Sequence, residues 1–195
     1  MDVVLASQSP RRRELLGQMG LDFRIIIPDI DEHMDRFLPP DKLVEAISAE
    51  KAGAVAAQVG PETVVIAADT VVVWNGEILG KPVHEADARR MLGELAGRTH
   101  EVYTGFTVCR GDQAVTRSER TEVTFRPLAG EEIAAYVATG EPMDKAGAYG
   151  IQGFGSLLVE GIRGDYFNVM GLPVCLLGQV LKQFGITCLS CKKPV

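Results

Sequence analysis

Apolar residues recur along the chain in two rhythms, short unbroken runs and helical stripes. Val3 to Ala6 is an apolar run that stops at Ser7-Gln8-Ser9-Pro10, after which Leu15, Leu16 and Met19 follow at helical spacing. This predicts strand, tight turn and helix, with Ser9 as N-cap, Pro10 at the first helical position and Gly17 or Gly20 closing the helix. Phe23 to Ile27 reads as a second strand, stopped by Pro28 and followed by the acidic cluster Asp29, Asp31, Glu32 and Asp35. A helix from about Asp41 to Gln58 comes next. Thr63 to Trp74 is almost unbroken β-forming sequence, and Asn75-Gly76 is a strong two-residue hairpin signal with Glu77 to Leu79 as its return strand.

Further on, Ala88, Met91, Leu92 and Leu95 give residues 84–96 one apolar helical face, closed by Gly97. Strands are expected at 101–109 and 114–125 around Gly111-Asp112, and a helix from Glu131 to Thr139. Gly140 to Gly164 is glycine-rich with short strands, and Pro173 to Phe184 reads as a closing helix. No internal repeat, low-complexity tract or linker interrupts this order. It predicts a mixed-sheet α/β fold, one unit over residues 1–186 with a tail at 187–195.

Composition narrows the classes. In 195 residues, 46% hydrophobic and 24% charged is an ordinary globular balance, which argues against disorder and against a disulfide scaffold. Twenty basic against 26 acidic residues leave a net charge of −6, a poor match to a phosphate backbone, so no nucleic-acid partner is expected. Apolar runs are too short for a membrane span, and the start at Met1-Asp2-Val3-Val4 carries no basic leader, so a cytoplasmic location is expected. Cys188-Leu189-Ser190-Cys191 has half of a zinc-ribbon spacing with no second pair, and reads as a solvent-exposed tail with two free thiols.

Several residues break local rules. Arg11, Arg12 and Arg13 occupy the first helical turn, where the helix dipole disfavours cations by about 0.3–1 kcal/mol each. Either they are solvated surface arginines, or an anion sits there among backbone N–H groups, the Ser7 and Ser9 hydroxyls and the guanidinium forks; the strand-turn-helix context favours phosphate. Lys51 shares a helical stripe with Leu43, Ile47 and Val55, so it either snorkels to the edge or points into a cleft. Asp69 interrupts a run of Val, Ile and Ala that reads as buried on both faces, and needs a partner there. A two-residue turn at Asn75-Gly76 pairs Trp74 with Glu77, Val72 with Leu79 and Thr70 with Lys81, which would place Lys81 beside Thr70 and Asp69. Glu32 is either a solvated loop residue or, near Asp69, the second carboxylate of a site for a hard cation. His33, His84 and His100 lack metal-ligand spacing and are assigned no chemistry. The glycines at 147, 150, 153 and 155 read as a flexible substrate-covering loop with Gln152 as a base-reading candidate.

Together, Ser7-Gln-Ser-Pro-Arg-Arg12, Glu50-Lys51-Ala52, Ala68-Asp69-Thr70, Gly80-Lys81-Pro82, Asp144-Lys-Ala-Gly-Ala-Tyr-Gly-Ile-Gln152-Gly153 and Gly171-Leu-Pro173 resemble the Maf-like nucleoside triphosphate pyrophosphatases. The resemblance runs from residue 3 to about 184. It implies a mixed-sheet α/β fold related to the inosine triphosphate pyrophosphatases, with two lobes around a cleft, a divalent cation (Mg²⁺ or Mn²⁺) and a homodimer. It further implies cleavage of a nucleoside triphosphate to monophosphate and pyrophosphate. Carried over, Asp69 is the general base and a metal ligand, Glu32 a metal or water partner, and Lys51 and Lys81 phosphate ligands. Ser7 and Arg11 would hold phosphate, with Ser9 beside them as a substrate-binding candidate, while Arg12, Thr70 and Gln152 match positions tied to substrate choice. Glutamine at 152 resembles the branch acting on dTTP and UTP. Two alternatives are a non-enzymatic, nucleotide-binding regulator of septum formation and a pyrophosphatase of modified purine nucleotides.

Overall fold

The computed structural model describes residues 1–30 and 38–189. Glu32 and His33, and Cys191 in the tail, lie outside the described residues. The chain forms strands β1 (Val3–Ala6), β2 (Arg24–Ile25), β3 (Val64–Trp74), β4 (Glu77–Leu79), β5 (Thr99–Arg110), β6 (Gln113–Phe125) and β7 (Val159–Arg163). Its helices are α1 (Pro10–Gln18), α2 (Pro40–Ala56), α3 (Glu85–Leu95), α4 (Gly130–Ala138), α5 (Tyr166–Met170) and α6 (Val174–Leu181). All seven strands join one sheet in the order β2-β1-β3-β5-β6-β7, with β4 also on β3. The β1–β2 and β1–β3 pairs are parallel and the rest antiparallel, so the expected mixed α/β sheet is present.

The two-residue rhythm of β3 sorts its side chains between two faces. Val64, Ile66 and Ala68 pack with Leu15 and Leu16 of α1 and Leu177 and Leu181 of α6. Val65 and Ala67 pack with Ala52 and Val55 of α2 on the opposite face. A second core gathers α3 and α4 over Val72, Val102, Val123 and Phe125. Strands β3 and β5 contribute to both cores, which makes the sheet the shared floor of two lobes.

Along one edge β3 is covered by β5 from Val65 to Val73. Along the other, β1 pairs with Val64 to Ala67 and β4 with Val72 to Trp74. Ala68 to Val71 therefore form a gap in that edge. The loop leaving β1 at Ser7 and the loop leaving β4 at Gly80 approach the gap from its two ends, a crevice beyond a strand's carboxyl end of the kind in which α/β sheets bind ligands.

Differences from the sequence reading have local causes. The hairpin pairs Trp74 with Glu77 and Val72 with Leu79 as expected, but the ladder ends there and the expected pairing of Thr70 with Lys81 does not form; Thr70 pairs with Thr104 of β5 along the other edge. The Gly147 N–H takes the Gly80 carbonyl at 3.0 Å, drawing the chain away from β3 before Lys81. The glycine-rich stretch holds three 3-10 turns (Glu141–Asp144, Ala146–Ala148 and Gly153–Leu157) and one strand, β7. The closing helix is preceded by the short α5, and after α6 it tightens into a 3-10 turn at Lys182–Phe184. Cys188 is not solvent-exposed: it is partly buried against the α1/α6 core, because the buried Ile186 anchors the segment before it.

Helix α2 approaches β5 closely at Gly105. A Cβ built there would lie 2.4 Å from the Val44 carbonyl carbon and 2.6 Å from the Glu45 nitrogen, so only glycine fits. Gly105 is the β5 partner of Asp69, and this approach sets the depth at which α2 presents its residues to the site. Hydroxyl contacts secure it, with Ser48 Oγ 2.9 Å from Thr107 Oγ1 and Ser118 Oγ donating to Glu45 Oε1 at 2.7 Å. Gly105→Ala is expected to cost about 1–3 kcal/mol by overpacking, read as a lower urea midpoint. Gly161→Ala, where a Cβ meets nothing within 4 Å, should change stability by less than about 0.5 kcal/mol. Equal midpoints for the two variants would contradict the close approach.

Candidate active site

The gap in the β3 edge opens into a cavity of about 480 Å³. Asp69 and Thr70 form its floor. Ser7, Ser9, Arg11 and Arg12 enter from the β1–α1 turn, Lys51 from α2, Lys81 from the loop after β4, and Gln152 from the glycine-rich loop. Every described residue expected to act on substrate thus lines one cavity.

Lys51 does not snorkel to solvent. Its side chain is 8% exposed, and Nζ donates to Asp69 Oδ1 at 2.7 Å, with Asp69 itself 14% exposed. The buried carboxylate has the partner that its apolar surroundings demand. Among the described residues, Oδ2 of Asp69 has no hydrogen-bond partner. It is an acceptor held at a fixed angle on the cavity floor.

The three consecutive arginines divide their tasks. Arg12 Nε donates to the Gly171 carbonyl at 2.8 Å, one terminal nitrogen reaches Thr70 Oγ1 at 2.9 Å, and the other lies 3.4 Å from Ser7 Oγ. It braces the turn after β1 against β3 and the residue that follows α5. Arg11 is half-buried, and its Nε is shielded from solvent without a hydrogen-bond partner among the described residues. A buried donor left unpaired costs roughly 1–3 kcal/mol and marks where an acceptor belongs. Arg13 is exposed. Ser9 caps α1 as expected, its Oγ 3.5 Å from the Arg12 N–H, and the Ser9 N–H donates to Ser7 Oγ at 3.2 Å.

Beneath Thr70 runs a chain of buried hydrogen bonds. Thr70 Oγ1 is 2.9 Å from Thr104 Oγ1, and Thr104 donates to the Asn168 carbonyl at 2.9 Å. Asn168 Nδ2 donates to the Val102 carbonyl at 3.1 Å and to Thr121 Oγ1 at 3.0 Å. With Arg12 at its head, this chain fixes the Thr70 rotamer.

Sequence reasoning gave no role to Lys145, Glu141 or Tyr149. Lys145 lines the cavity beside Arg11 and Gly150, and its Nζ donates to Asp144 Oδ1 at 2.6 Å and to the Glu141 carbonyl at 2.5 Å. A lysine followed by Ala146-Gly147-Ala148 was the available signal. The loop is not loose: Glu141 accepts hydrogen bonds from Tyr136, Lys145 and the Phe154 and Gly155 N–H groups, and the Tyr136 hydroxyl accepts from the Gly150 N–H. Lys81 is exposed and, among the described residues, makes no hydrogen bond or ion pair. Those residues contain no cluster of three or more His, Cys, Asp or Glu able to hold a metal ion.

Fold and site together define an α/β protein with a cation-lined cleft built around one buried carboxylate. The Maf-like protein family matches residues 2–184, and the chain belongs to that family. It is 57% identical over 187 residues to a dTTP/UTP pyrophosphatase of Moorella thermoacetica, covering 94% of this chain and 95% of the relative. A dTTP/UTP pyrophosphatase of Symbiobacterium thermophilum is 51% identical over 183 residues, with 94% of each covered. Among solved structures, a nucleoside-triphosphatase, dITP/XTP pyrophosphatase, of Mycobacterium abscessus aligns with a TM-score of 0.44 at 13% identity over 94% of this chain and 97% of that one.

Behind the cavity wall, the buried His100 shares a hydrogen bond between Nε2 and the Tyr149 hydroxyl at 2.8 Å and stacks edge-on with Phe125 and Tyr149. Burial lowers its pKa from 6.5 to about 4. The folded state thus binds a proton less readily than the unfolded chain. The stability this histidine contributes is complete above pH 6.5 and is lost as the pH falls toward 4, by about 3 kcal/mol in all. His100→Gln should flatten the pH dependence of the urea midpoint across that window; an unaltered slope would mean that other groups dominate it.

Proposed function

We propose that this protein is a nucleoside triphosphate pyrophosphatase that hydrolyses dTTP and UTP to the monophosphate and pyrophosphate. The observation that carries the proposal is the buried Asp69 carboxylate, held on one oxygen by Lys51 and facing a cavity whose walls bear Arg11 and Lys81. The names of the relatives point to the same reaction. Phosphoanhydride hydrolysis asks chiefly for positioning and charge stabilisation, and this arrangement offers both.

In the proposed reaction, Arg11 Nε and Lys81 draw the phosphate oxygens into the gap, where Ser7 and Ser9 offer hydroxyl groups. Lys51 holds Asp69 so that Oδ2 faces a water and accepts its proton. The water oxygen bonds to the α-phosphorus as the bridging oxygen leaves with pyrophosphate. No covalent enzyme intermediate is needed. A divalent cation, Mg²⁺ or Mn²⁺, belongs to the proposal. Such ions are held by one or two carboxylates together with substrate phosphates, and Oδ2 of Asp69, without a hydrogen-bond partner among the described residues, suits that chemistry, with Glu32 as the second candidate. When bound, the cation would neutralise charge on the phosphate oxygens.

For the base, Gln152 carries both an amide donor and a carbonyl acceptor. Thymine and uracil present N3–H between two carbonyls, so the glutamine can accept from N3–H and donate to a neighbouring carbonyl. Cytosine, with an acceptor at N3, lacks that match. Arg12 and Thr70, hydrogen-bonded to each other, line the same cavity. The proposal extends to a homodimer in the cytoplasm; no helix among the described residues is long and apolar enough to cross a membrane.

Purified protein with Mg²⁺ or Mn²⁺ should release intact pyrophosphate from dTTP and UTP and lose activity with chelator. Nucleoside diphosphate with orthophosphate would overturn the proposed bond choice, and nucleotide binding without turnover would favour a regulator. Asp69→Asn should keep the fold and lose on the order of 10²-fold or more in kcat; a folded, fully active variant would remove Asp69 from the mechanism. Gln152→Glu should erode the preference for dTTP and UTP over dCTP and 7-methyl-GTP by the equivalent of ~1–3 kcal/mol in kcat/KM, and an unchanged ranking would show that Gln152 does not read the base.

A further inference from the structure

We infer that Glu141 is a positioning residue for base selection, its carboxylate holding both ends of the loop that presents Gln152 to the cavity. The inference rests on the reading of Gln152 as the residue that meets the base. Glu141 lies in the 3-10 turn Glu141–Asp144, ahead of the stretch from Lys145 to Gly153. Its Oε1 accepts from the Tyr136 hydroxyl at 2.9 Å and from the Gly155 N–H at 2.9 Å, and Oε2 accepts from the Phe154 N–H at 3.0 Å. The Tyr136 hydroxyl in turn accepts from the Gly150 N–H at 3.3 Å. Gly150 on one side of Gln152, and Phe154 and Gly155 on the other, are thus tied to one carboxylate.

Two of the loop's glycines stand at this junction. Gly153 has φ +64°, and a Cβ there would lie 2.6 Å from Glu141 Oε2. A Cβ at Gly155 would lie 2.0 Å from the Gly150 carbonyl oxygen and 2.8 Å from the Tyr136 hydroxyl. Backbone must approach the carboxylate closely for the arrangement to form, and only residues without a side chain allow it. Burial first, and the hydrogen bond to Glu141 second, push the Tyr136 hydroxyl pKa well up, so it remains a protonated donor to the carboxylate. The Glu141 main-chain carbonyl also accepts from Lys145 Nζ, which joins this loop to the cationic wall of the cavity.

A carboxylate is acceptor-only, with room for several donors. Glutamine replaces one oxygen by an NH₂ group that would face an N–H or O–H donor, so at least one of the three bonds is lost. The test measures kcat/KM for dTTP and dCTP in the full-length protein, in Glu141→Gln, in Gln152→Ala and in the double variant. Glu141→Gln is expected to lower the dTTP/dCTP ratio about tenfold, chiefly through the KM for dTTP, with pyrophosphate still the product. Adding it to Gln152→Ala should lower the ratio no further. A merely structural role would reduce the active fraction equally for both substrates and leave the ratio unchanged. That outcome, alongside a ratio that collapses in Gln152→Ala, would overturn this inference alone. A ratio unmoved by Gln152→Ala would overturn both it and the assignment of Gln152. If Glu141→Gln fails to fold, Tyr136→Phe, which cuts only the arm to Gly150, should still lower the ratio, and an unchanged ratio there overturns the inference.

Discussion

A carboxylate set into a strand of valine, isoleucine and alanine is tolerable only if something meets it, and the structure is arranged around that meeting. Lys51 reaches Asp69 at 2.7 Å with both side chains largely shielded from water. Burying two charges costs several kcal/mol per ion, and the attraction between them repays this only with good geometry; deleting one partner typically costs 3–5 kcal/mol. Such a pair is a weak device for stability and a strong one for holding a carboxylate in place. For Lys51 to arrive, α2 must lie almost against β5, and the glycine opposite Asp69 in the ladder permits that distance.

The interrupted edge of β3 turns this pair into a site. With β1 ending opposite Ala67 and β4 ending opposite Val72, the β3 residues between them have no strand beside them on that edge, which is flanked by the chain leaving both short strands. A longer β1 or β4 would close the crevice with ladder hydrogen bonds. Ser7, Ser9, Arg11, Arg12 and Lys81 come from the chain leaving these two strands, whose register is specified by buried faces, whereas Lys51 comes from α2 and Lys145 from the glycine-rich stretch.

The two walls of the cavity are held by different means. On the Thr70 side, a file of buried hydrogen bonds from Arg12 through Thr70 and Thr104 to Asn168 links α1, β3, β5 and α5. Such a file fixes side-chain orientation, and at its end Asn168 Oδ1 is buried without a hydrogen-bond partner among the described residues. On the Gln152 side, Tyr149 and Ile151 are buried in the core, and one carboxylate gathers the backbone on either side of Gln152. Arg12 is therefore a brace as much as a contact surface, whereas Arg11, one residue earlier, carries a buried donor with no acceptor among the described residues.

Much of this was legible in the sequence because the governing physics is local. Strand β1, the Ser9 cap, the Asn75-Gly76 hairpin and the amphipathic α3 depend on periodicity, capping and turn chemistry within a few residues. Asp69 stood out because a charge in an apolar strand contradicts its neighbours. Sequence alone, however, could not choose between solvent and cleft for Lys51, because a stripe position on a helix says nothing of what lies opposite. Nor could it separate the tasks of Arg11 and Arg12, which diverge through contacts with Gly171 and Thr70, far along the chain. Lys81 was expected beside Thr70 from hairpin register, and the tertiary contact between Gly80 and Gly147 ended that ladder early. Glu141 looked like any exposed acid before a proline, and its role arises only where the backbone of residues 150–155 folds back onto it. Local interactions thus specified the elements and flagged the odd residues. Their partners were decided by long-range packing, because a hydrogen bond or ion pair across the fold has no signature in the spacing of either partner.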